Sequence, residues 1–245
     1  MTKITCISDL HGFLPKIEPT DILIIAGDVV PLTNHDPFYQ ANWLNIVFKM
    51  WLKGLPAKHI VLTWGNHDIV AERHPDLLSP LYADMMGYSF HVLHCSAVEL
   101  EGLKIWGSPF SLPYGKSWAF MFEDEYLKAV YDQIPRNVNI LINHGAPKGY
   151  GDLTTRGEHT GSQSLTDAIY RIEPELVLNG HIHEAYGIYQ YGPTRIVNCS
   201  MLDHHVTSKE LTNKPWVFVW DEVFGNFYRW IISPTDNFRG KTKEN

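Results

Sequence analysis

The chain has 245 residues and a formal net charge of −7, with 44% apolar and 13% aromatic residues. This much apolar material can fill a sizeable core and excludes a disordered chain, while the negative charge argues against a protein that coats long nucleic acids or anionic membranes. The 3 cysteines are far apart and form no Cys-x-x-Cys pair, which disfavours a disulfide framework and favours a reducing, cytoplasmic compartment.

The first third of the chain alternates predicted strands with a predicted helix. Apolar runs predict strands at residues 4–8, 21–26 and 59–63, and the helical spacing of large apolar residues predicts a helix over 39–53. The second of these strands is apolar almost throughout, as burial on both faces requires. This order of elements is typical of a doubly wound α/β sheet with parallel strands.

The remainder of the chain adds two helices and further strands. Antiparallel strands are predicted within 90–110 around a turn at Glu101 and Gly102, and Ser162 is the predicted N-cap of a helix over 163–172. The other predicted elements are a helix at 123–134, strands at 138–142 and 175–178, and hairpins near 186–199 and 216–231.

The organisation of these elements predicts one domain. Because no linker-like stretch separates them, we expect a single domain over residues 1–234 and a polar tail over 235–245. We expect neither a signal peptide nor a membrane span, because the chain enters a strand-like run at once and no apolar run approaches about 20 residues.

Polar side chains follow five of the predicted strands at the point where each strand ends. They are Asp9 and His11, then Asp28, then Asn66 and His67, then His144, and finally His181 and His183. Asp-x-His, Gly-Asp or a lone His is by itself most often an ordinary turn, cap or packed histidine, whereas the four-residue string at 65–68 is a stronger signal because chance rarely produces it. Because ligands bind beyond the carboxyl ends of strands in open α/β sheets, we expect the five clusters to lie close together.

The residue types in these clusters favour a transition-metal centre. Asp-x-His and His-x-His place two ligand side chains on the same face of extended backbone, and imidazole with carboxylate, without cysteine, suits an ion that keeps positions open for water. Asp28 has two carboxylate oxygens and could bridge two ions, the arrangement used for in-line attack at phosphorus. The other histidines are expected to be surface or packed polar residues: His35, His59, His74, His91, His94, His204 and His205.

At these motifs the chain resembles the calcineurin-like metallophosphoesterases, whose pattern is Asp-x-His, Gly-Asp, Gly-Asn-His-Asp, a single His and Gly-His-x-His. Further stretches resemble a branch of small enzymes that contains class III cyclic-nucleotide phosphodiesterase-like proteins: residues 105–110, 118–120, 144–147, 157–161 and 180–184. The resemblance implies an α/β fold, a four-layer α/β/β/α sandwich with the metal site at strand-end loops. One departure is Asn143, where a threonine is more usual.

The resemblance also implies the metal ligands. One ion would be held by Asp9, His11, Asp28 and His183. The second would be held by Asp28, Asn66, His144 and His181, with Asp28 bridging the pair. We expect two divalent transition-metal ions, Mn²⁺ first, with Fe, Zn, Ni and Co as the alternatives.

The expected chemistry is attack on phosphorus by a hydroxide that bridges the two ions. His67 is predicted to protonate the leaving oxygen, and Asp68 to orient the ring of His67 by accepting a hydrogen bond from its other nitrogen. Asn66 and His159 are predicted to contact the substrate, with the alternative that His159 only shapes its loop.

The favoured function is hydrolysis of a small phosphodiester, similar to a cyclic nucleotide. The alternatives are a nuclease or a phosphomonoesterase of the same fold, and a non-catalytic scaffold that retains the metal site. A protein Ser/Thr phosphatase is less favoured, because those enzymes usually carry arginine where this chain has Trp64. A dinucleotide-binding protein is disfavoured by the lack of a G-x-G-x-x-G or P-loop motif.

Overall fold

The computed structural model describes residues 1–115, 117–203, 210–221 and 226–229. Its strands are β1 (Thr2–Ile7), β2 (Thr20–Ala26), β3 (Ala57–Thr63), β4 (Ser89–Val92), β5 (Ser96–Leu100), β6 (Leu103–Ser108), β7 (Ile140–Asn143), β8 (Leu176–Asn179), β9 (Gly187–Tyr191), β10 (Thr194–Asn198), β11 (Trp216–Asp221) and β12 (Asn226–Arg229). Its α-helices are α1 (Pro37–Trp43), α2 (Lys49–Lys53), α3 (Ile69–Arg73), α4 (Ser79–Met85), α5 (Asp124–Tyr131) and α6 (Gln163–Ile172).

The strands form two six-stranded sheets. The first sheet has the order β12-β11-β1-β2-β3-β4, and the second has the order β5-β6-β7-β8-β10-β9. Strands β1 to β4 run parallel in the first sheet, and β6, β7, β8 and β10 run parallel in the second. Each sheet therefore has a parallel centre, and the outer strands β11, β12, β5 and β9 pair in antiparallel fashion.

One hydrophobic core lies between the two sheets. It joins Ile4 and Ile24 of the first sheet to Ile105, Ile142 and Leu178 of the second, all of them buried. Alternate residues of the same strands point the other way, because successive side chains of a strand project from opposite faces. Strands buried on both faces in this way read as continuous apolar runs, which explains the composition of β2.

The outer faces of the sheets are covered by helices. Leu23 and Leu62 of the first sheet pack with Phe48 and Leu52 from the helical segment between β2 and β3. On the second sheet, Leu141 belongs to the same hydrophobic cluster as the buried residues of α5 and α6. The result is an α/β/β/α sandwich, which confirms the four-layer fold class. The doubly wound single sheet that the order of elements suggested is wrong, because β7 and β8 join a separate second sheet.

Two local predictions also need correction. The helix predicted over 39–53 is interrupted, since α1 and α2 are joined by a π-helical segment, Leu44–Phe48. The range 90–110 predicted for the antiparallel strands starts too early, because its first residues belong to β4, which runs parallel to β3 at the edge of the first sheet. The predicted turn at Glu101 and Gly102 does connect the antiparallel pair β5 and β6, and Ser162 caps α6 by accepting from the N–H of Leu165 over 3.0 Å.

Within the described residues, no helix combines the length and the apolar composition that crossing a membrane requires. His204, His205 and the predicted tail over 235–245 lie outside the described residues.

Candidate metal centre

The carboxyl ends of five parallel strands bring the predicted ligands together. Strands β1, β2 and β3 of the first sheet end at Asp9 with His11, at Asp28 and at Asn66, while β7 and β8 of the second sheet end at His144 and at His181 with His183. Two groups of side chains could each hold a metal ion, because within each group the ligand atoms all lie within 4.8 Å of one another. The first group is Asp9, His11 and His183, and the second is Asp9, Asp28 and His144. The site therefore lies across the edges of both sheets.

The first group surrounds Nε2 of His183. This atom lies 3.3 Å from Oδ1 of Asp9 and 3.3 Å from Nε2 of His11. The Nδ1 atom of the same ring lies 3.1 Å from the carbonyl oxygen of Asp203, an acceptor that favours hydrogen on Nδ1 and leaves the Nε2 lone pair free.

The second group is arranged around the carboxylate of Asp28. Its Oδ2 atom lies 3.4 Å from Nε2 of His144 and 3.7 Å from Nε2 of His11, so this one oxygen faces rings from both groups. Nε2 of His144 is also 3.0 Å from Oδ1 of Asn66, and its Nδ1 is 2.8 Å from the carbonyl oxygen of Ala26. Asp28 thus links the two groups through this oxygen, in addition to Asp9, which belongs to both groups.

His181 completes this arrangement from the second sheet. Its backbone N–H donates to Asp9, at 3.1 Å from each carboxylate oxygen, and its ring meets the ring of His144 edge to face with centroids 5.2 Å apart. The backbone of His181 has a φ of 67°, and Asp9, His11 and Asp28 also have positive φ values. Such strained backbone at non-glycine residues concentrates at functional sites.

Burial and mutual charge set the protonation of these groups. Burial lowers the pKa of His11 to about 3 and that of His181 to about 3, so both rings are neutral at pH 7. Burial opposes a charge on His144 as well, but Asp28 and Asp9 raise its pKa to about 9. Burial would raise the pKa of Asp28, yet the neighbouring His144, His67 and His11 hold it well below its usual range. The site is therefore rich in carboxylate charge and in lone pairs.

The donor set fits divalent transition ions. Carboxylate and amide oxygens stand beside imidazole nitrogens, cysteine sulfur is absent from both groups, and Asp9, Asp28, Asn66 and His144 are buried. His11 adds a buried Nδ1 atom that lacks a hydrogen-bond partner among the described residues. Buried carboxylates are stable when they are paired or coordinate metals, and the ring nitrogens beside them make metal coordination the interpretation that the geometry favours.

His67 lies at the edge of this cluster. Its backbone N–H donates to Oδ1 of Asp28 over 2.7 Å, and its ring meets the ring of His11 edge to face at 5.0 Å between centroids. Burial lowers the pKa of His67. The ring is therefore next to the candidate ligands.

The predicted hydrogen bond between Asp68 and His67 is wrong. The carboxylate of Asp68 is fully buried and accepts backbone N–H groups of Gly65, Asp28, Val29 and Val30, at 2.8, 3.0, 3.0 and 3.2 Å. Burial and the charge of Asp28 raise the pKa of Asp68 to about 7, and the N–H groups oppose that rise. Asp68 therefore holds the loop after β2 to the loop after β3, and Nδ1 of His67 instead lies beside Nε2 of His35.

Two residues at the site were missed by sequence reasoning. The Nε2 atom of His35 lies 3.3 Å from Nδ1 of His67, and the ring of Trp118 lies 4.1 Å from that of His67 between centroids. His35 was assigned to the surface or packed polar residues, because a lone histidine in a loop carries no periodic or motif signal. Trp118 was noted only as part of a stretch that resembles the family.

Asn143 and His159 have distinct surroundings. Asn143 is buried, accepts from the hydroxyl of Tyr131 over 3.1 Å and donates to the carbonyl oxygens of Phe110 and Gly145, so it orders the loop that carries His144. His159 is half-exposed, and its Nδ1 lies 2.7 Å from Oδ1 of the buried Asp152. This contact holds the loop of His159 itself and does not involve a candidate ligand.

Comparison with known proteins shows that a family profile matches most of the chain. The family profile described as calcineurin-like phosphoesterase matches residues 2–185, which include all of the candidate ligands. A crystal structure superposes on 95% of this chain and 99% of its own with a TM-score of 0.68 at 18% identity, a similarity that concerns the fold alone.

Curated relatives share this region at moderate identity. The chain is 28% identical to metallophosphoesterase domain-containing protein 1 of Homo sapiens, over 82% of this chain and 66% of that protein. It is also 28% identical to UPF0046 protein T07D4.2 of Caenorhabditis elegans, over 88% of this chain and 59% of that protein. The chain therefore spans about three fifths to two thirds of the length of these relatives.

Proposed function

Because the chain belongs to the calcineurin-like phosphoesterase family, we propose that it is a metal-dependent hydrolase of a small phosphodiester, similar to a cyclic nucleotide. The observation that carries this proposal is the completeness of the site. Every ligand position of the family pattern holds a residue able to bind metal, and the carboxylate of Asp28 faces both His11 and His144. A scaffold that had lost catalysis would have no need of the full set.

The proposed ligand assignment follows the two groups of side chains. Asp9, His11 and His183, with one oxygen of Asp28, would hold the first ion. Asn66, His144 and His181, with Asp28 shared, would hold the second. Asp9 belongs to both groups of closely spaced ligand atoms, which supports one compact site rather than two separate ones. When bound, the two ions would supply the charge that neutralises the phosphate and the acidity that makes an attacking water available near neutral pH.

The chain's own residues would then complete the reaction. Asn66 is fixed by His144 at 3.0 Å, so that its amide is directed at the site and is available to the phosphate. His67 would give its proton from Nε2 to the leaving oxygen, so that the N–H bond breaks as the new O–H bond forms. Its position is secured by the hydrogen bond from its backbone to Asp28.

Aromatic side chains beside the candidate metal ligands favour a substrate that carries a flat group. Tyr114 is exposed and lies 6.4 Å from the ring of His181, and Trp118 packs against His67. A third wall is supplied by the loop over 153–160, since the N–H of Thr155 donates to Glu184, the neighbour of His183, over 2.8 Å. His159 in that loop is proposed to contact the substrate. A nucleobase would find stacking partners in such an opening.

The test is a substrate panel with the manganese-loaded protein. It compares 2′,3′-cyclic and 3′,5′-cyclic nucleotides, a chromogenic diester, a chromogenic monoester and single-stranded DNA, with Asp28→Ala prepared identically as the control for contaminating enzymes. We expect cyclic nucleotides and the diester to be hydrolysed faster than the monoester and DNA. Preference for the monoester or DNA would establish one of the alternative activities, and full metal content without any turnover would establish a non-catalytic scaffold.

Manganese is the proposed ion, because imidazole ligands favour transition ions whereas Mg²⁺ prefers oxygen and water. We expect chelation to abolish activity and Mn²⁺ to restore it better than Mg²⁺. Full activity in Mg²⁺ with a chelator of transition metals present would contradict this.

A cytoplasmic location is proposed on the state of the cysteines. Cys6, Cys95 and Cys199 are all free thiols, and the two buried ones, Cys6 and Cys199, are neighbours without a disulfide. Such pairs persist as thiols in reducing compartments.

A further inference from the structure

The side chain that faces the predicted general acid is a second histidine. Nε2 of His35 lies 3.3 Å from Nδ1 of His67, and the centroids of the two rings are 5.5 Å apart. The pairing leaves Nε2 of His67 as the ring nitrogen that can meet a substrate. A histidine ring is held in one tautomer and orientation by the partner of its other nitrogen.

The neighbouring acid cannot fill this role. Both oxygens of Asp68 are engaged by backbone N–H groups of the loops after β2 and β3, including those of Gly65 and Val29. His35 comes from the loop between β2 and α1, so the partner of His67 is supplied by a segment far from it in the sequence.

Three contacts fix the pair independently of its own hydrogen bond. The buried amide of Gln40 in α1 donates to the carbonyl oxygen of His67 over 2.8 Å and accepts from the N–H of Val70 over 3.0 Å. This ties the helix that follows His35 to the backbone around His67. Asp36 caps that helix by accepting from the N–H of Tyr39 over 2.9 Å.

An aromatic ring covers the pair from a third segment. The N–H of Ala119 donates to the carbonyl oxygen of Asn66 over 2.9 Å, which places Trp118 beside both histidines. Its ring centroid lies 4.1 Å from that of His67 and 4.8 Å from that of His35, the latter edge to face. The two imidazoles therefore lie between α1 and the segment of Trp118, both of which are hydrogen-bonded to the loop that carries His67.

We propose that His35 is a positioning residue, whose Nε2 accepts the Nδ1–H of His67 and keeps Nε2 of His67 directed at the leaving group. In the protonated ring of His67 the Nε2–H passes to the leaving oxygen, and the neutral ring that remains keeps its hydrogen on Nδ1, bonded to His35. The inference rests on the proposed function, in which His67 supplies the proton. His35 itself does not touch the reacting atoms in this arrangement.

The first experiment reads the pairing directly and needs no activity. In metal-free protein labelled with ¹⁵N-histidine, long-range ¹H–¹⁵N spectra distinguish hydrogen on Nδ1 from hydrogen on Nε2, and His67→Ala assigns the signals. We expect the neutral ring of His67, which is the form left after proton donation, to carry hydrogen on Nδ1 in the native chain and to become a mixture of tautomers in His35→Ala. An unchanged tautomer in His35→Ala would overturn the proposal.

The second experiment separates positioning from packing. Steady-state kinetics of the manganese-loaded His35→Ala variant are compared on a diester with an alkyl leaving group and on a nitrophenyl diester, which needs little proton assistance. We expect kcat on the alkyl substrate to fall about 10- to 100-fold, part of the contribution of a general acid, with KM and metal content unchanged and a smaller loss on the nitrophenyl substrate. His35→Gln, whose amide oxygen can accept the same hydrogen bond, should recover most of kcat.

The controls keep the outcomes distinct. His74→Ala, at an exposed histidine in contact with Phe38, should behave as the native chain. Equal losses on both substrates, or no recovery in His35→Gln, would mean that His35 only packs, and the proposal would fail. If the native chain hydrolyses neither diester, the proposed function fails instead, and the tautomer spectra still decide whether His35 positions His67.

Discussion

A Cβ atom on Gly180 would overlap Oδ2 of Asp9, so the backbone before His181 occupies space that only glycine leaves free. The other motif glycines show the same relationship across strands. A Cβ on Gly27 would lie 2.5 Å from Nδ1 of His144, and one on Gly65 would overlap Oδ1 of Asp28. Each glycine thus gives room to a ligand that a different strand supplies, which explains why Gly-Asp, Gly-Asn and Gly-His recur at these strand ends.

Gly180→Ala is expected to lower both metal content and stability. The added methyl would displace the carboxylate of Asp9 or the side chain of Ser8, at a cost of about 1–3 kcal/mol in the free energy of unfolding. The matched control is Gly87→Ala, since a Cβ there meets nothing within 4 Å. Elemental analysis and urea denaturation of both variants are the measurements, and native metal content in Gly180→Ala would contradict the steric argument.

The strand ends of this fold could be predicted because their signal is local. Buried parallel strands such as β2 are apolar on both faces, and the polar residue that ends each run, for instance Asp28, is visible without knowledge of the partners. The membership of β7 in a second sheet was not predictable in the same way. It depends on packing between Ile105, Ile142 and Ile24, which are distant in the chain.

The part of the site that escaped prediction depends on side-chain direction. Asp68 directly follows His67, yet the tight turn into α3, where Asp68 has φ −80° and ψ 58°, directs its carboxylate to the backbone of Val29 and Val30. Proximity in sequence therefore suggested a contact that the turn does not allow. His35 reaches His67 from the loop before α1, the helix that Gln40 ties to that turn, and a single sequence gives no sign of such a contact.

Asp28→Ala is expected to be the most damaging change among the proposed ligands. Its carboxylate faces His11 and His144, so its loss should release both ions, whereas His11→Ala should weaken mainly one. Metal equivalents per chain, measured by elemental analysis after identical loading, distinguish the two variants. Two equivalents retained by Asp28→Ala would show that this carboxylate does not bridge.

Asp68→Asn is expected to destabilise the metal-free protein. One of the two carboxylate oxygens becomes an NH₂ group that faces backbone N–H donors, either those of Val29 and Val30 or those of Asp28 and Gly65. Leaving two buried donors unpaired should lower the free energy of unfolding by about 2–4 kcal/mol, as read from urea titration. Asp132→Asn, at an exposed pair with Lys128, is the control and should change it by less than about 0.5 kcal/mol. Equal stability of the two variants would rule out this role for Asp68.

Metal uptake by the metal-free protein should release protons at neutral pH. The pKa of His144 is raised to about 9, so its ring is protonated at pH 7, and the ion must displace that proton to reach Nε2. Neutral His11, with a pKa of about 3, contributes none. His183, whose pKa is raised by Asp9 against the effect of burial, adds to this release. The apparent affinity for Mn²⁺ should therefore rise with pH, by about tenfold per unit for each proton displaced, and level off near pH 9. Calorimetric titrations from pH 6 to 9 in buffers of different ionisation enthalpy measure both quantities, and uptake at pH 7 without proton release would contradict the assignment.

His67→Ala separates proton donation from proximity to the metals. The variant should fold and retain both ions, because the bond from residue 67 to Asp28 is made by the backbone N–H and survives the substitution. On a diester with an alkyl leaving group, kcat should fall by about 10²–10⁴-fold, the usual contribution of a general acid. The loss should shrink on a nitrophenyl diester, whose leaving group departs without a proton.

Each alternative role of His67 has its own signature in the same measurements. As a metal ligand, its removal would lower the metal content; as a phosphate contact, it would raise KM equally for both leaving groups. Asp68→Ala provides the contrast, because its carboxylate binds backbone N–H groups such as that of Gly65 and does not orient the ring. Any loss of kcat in that variant should be the same on both leaving groups and should accompany reduced stability. An equal loss on both leaving groups in His67→Ala, with its metals intact, would exclude the acid role, since only proton donation makes the loss depend on the basicity of the departing oxygen.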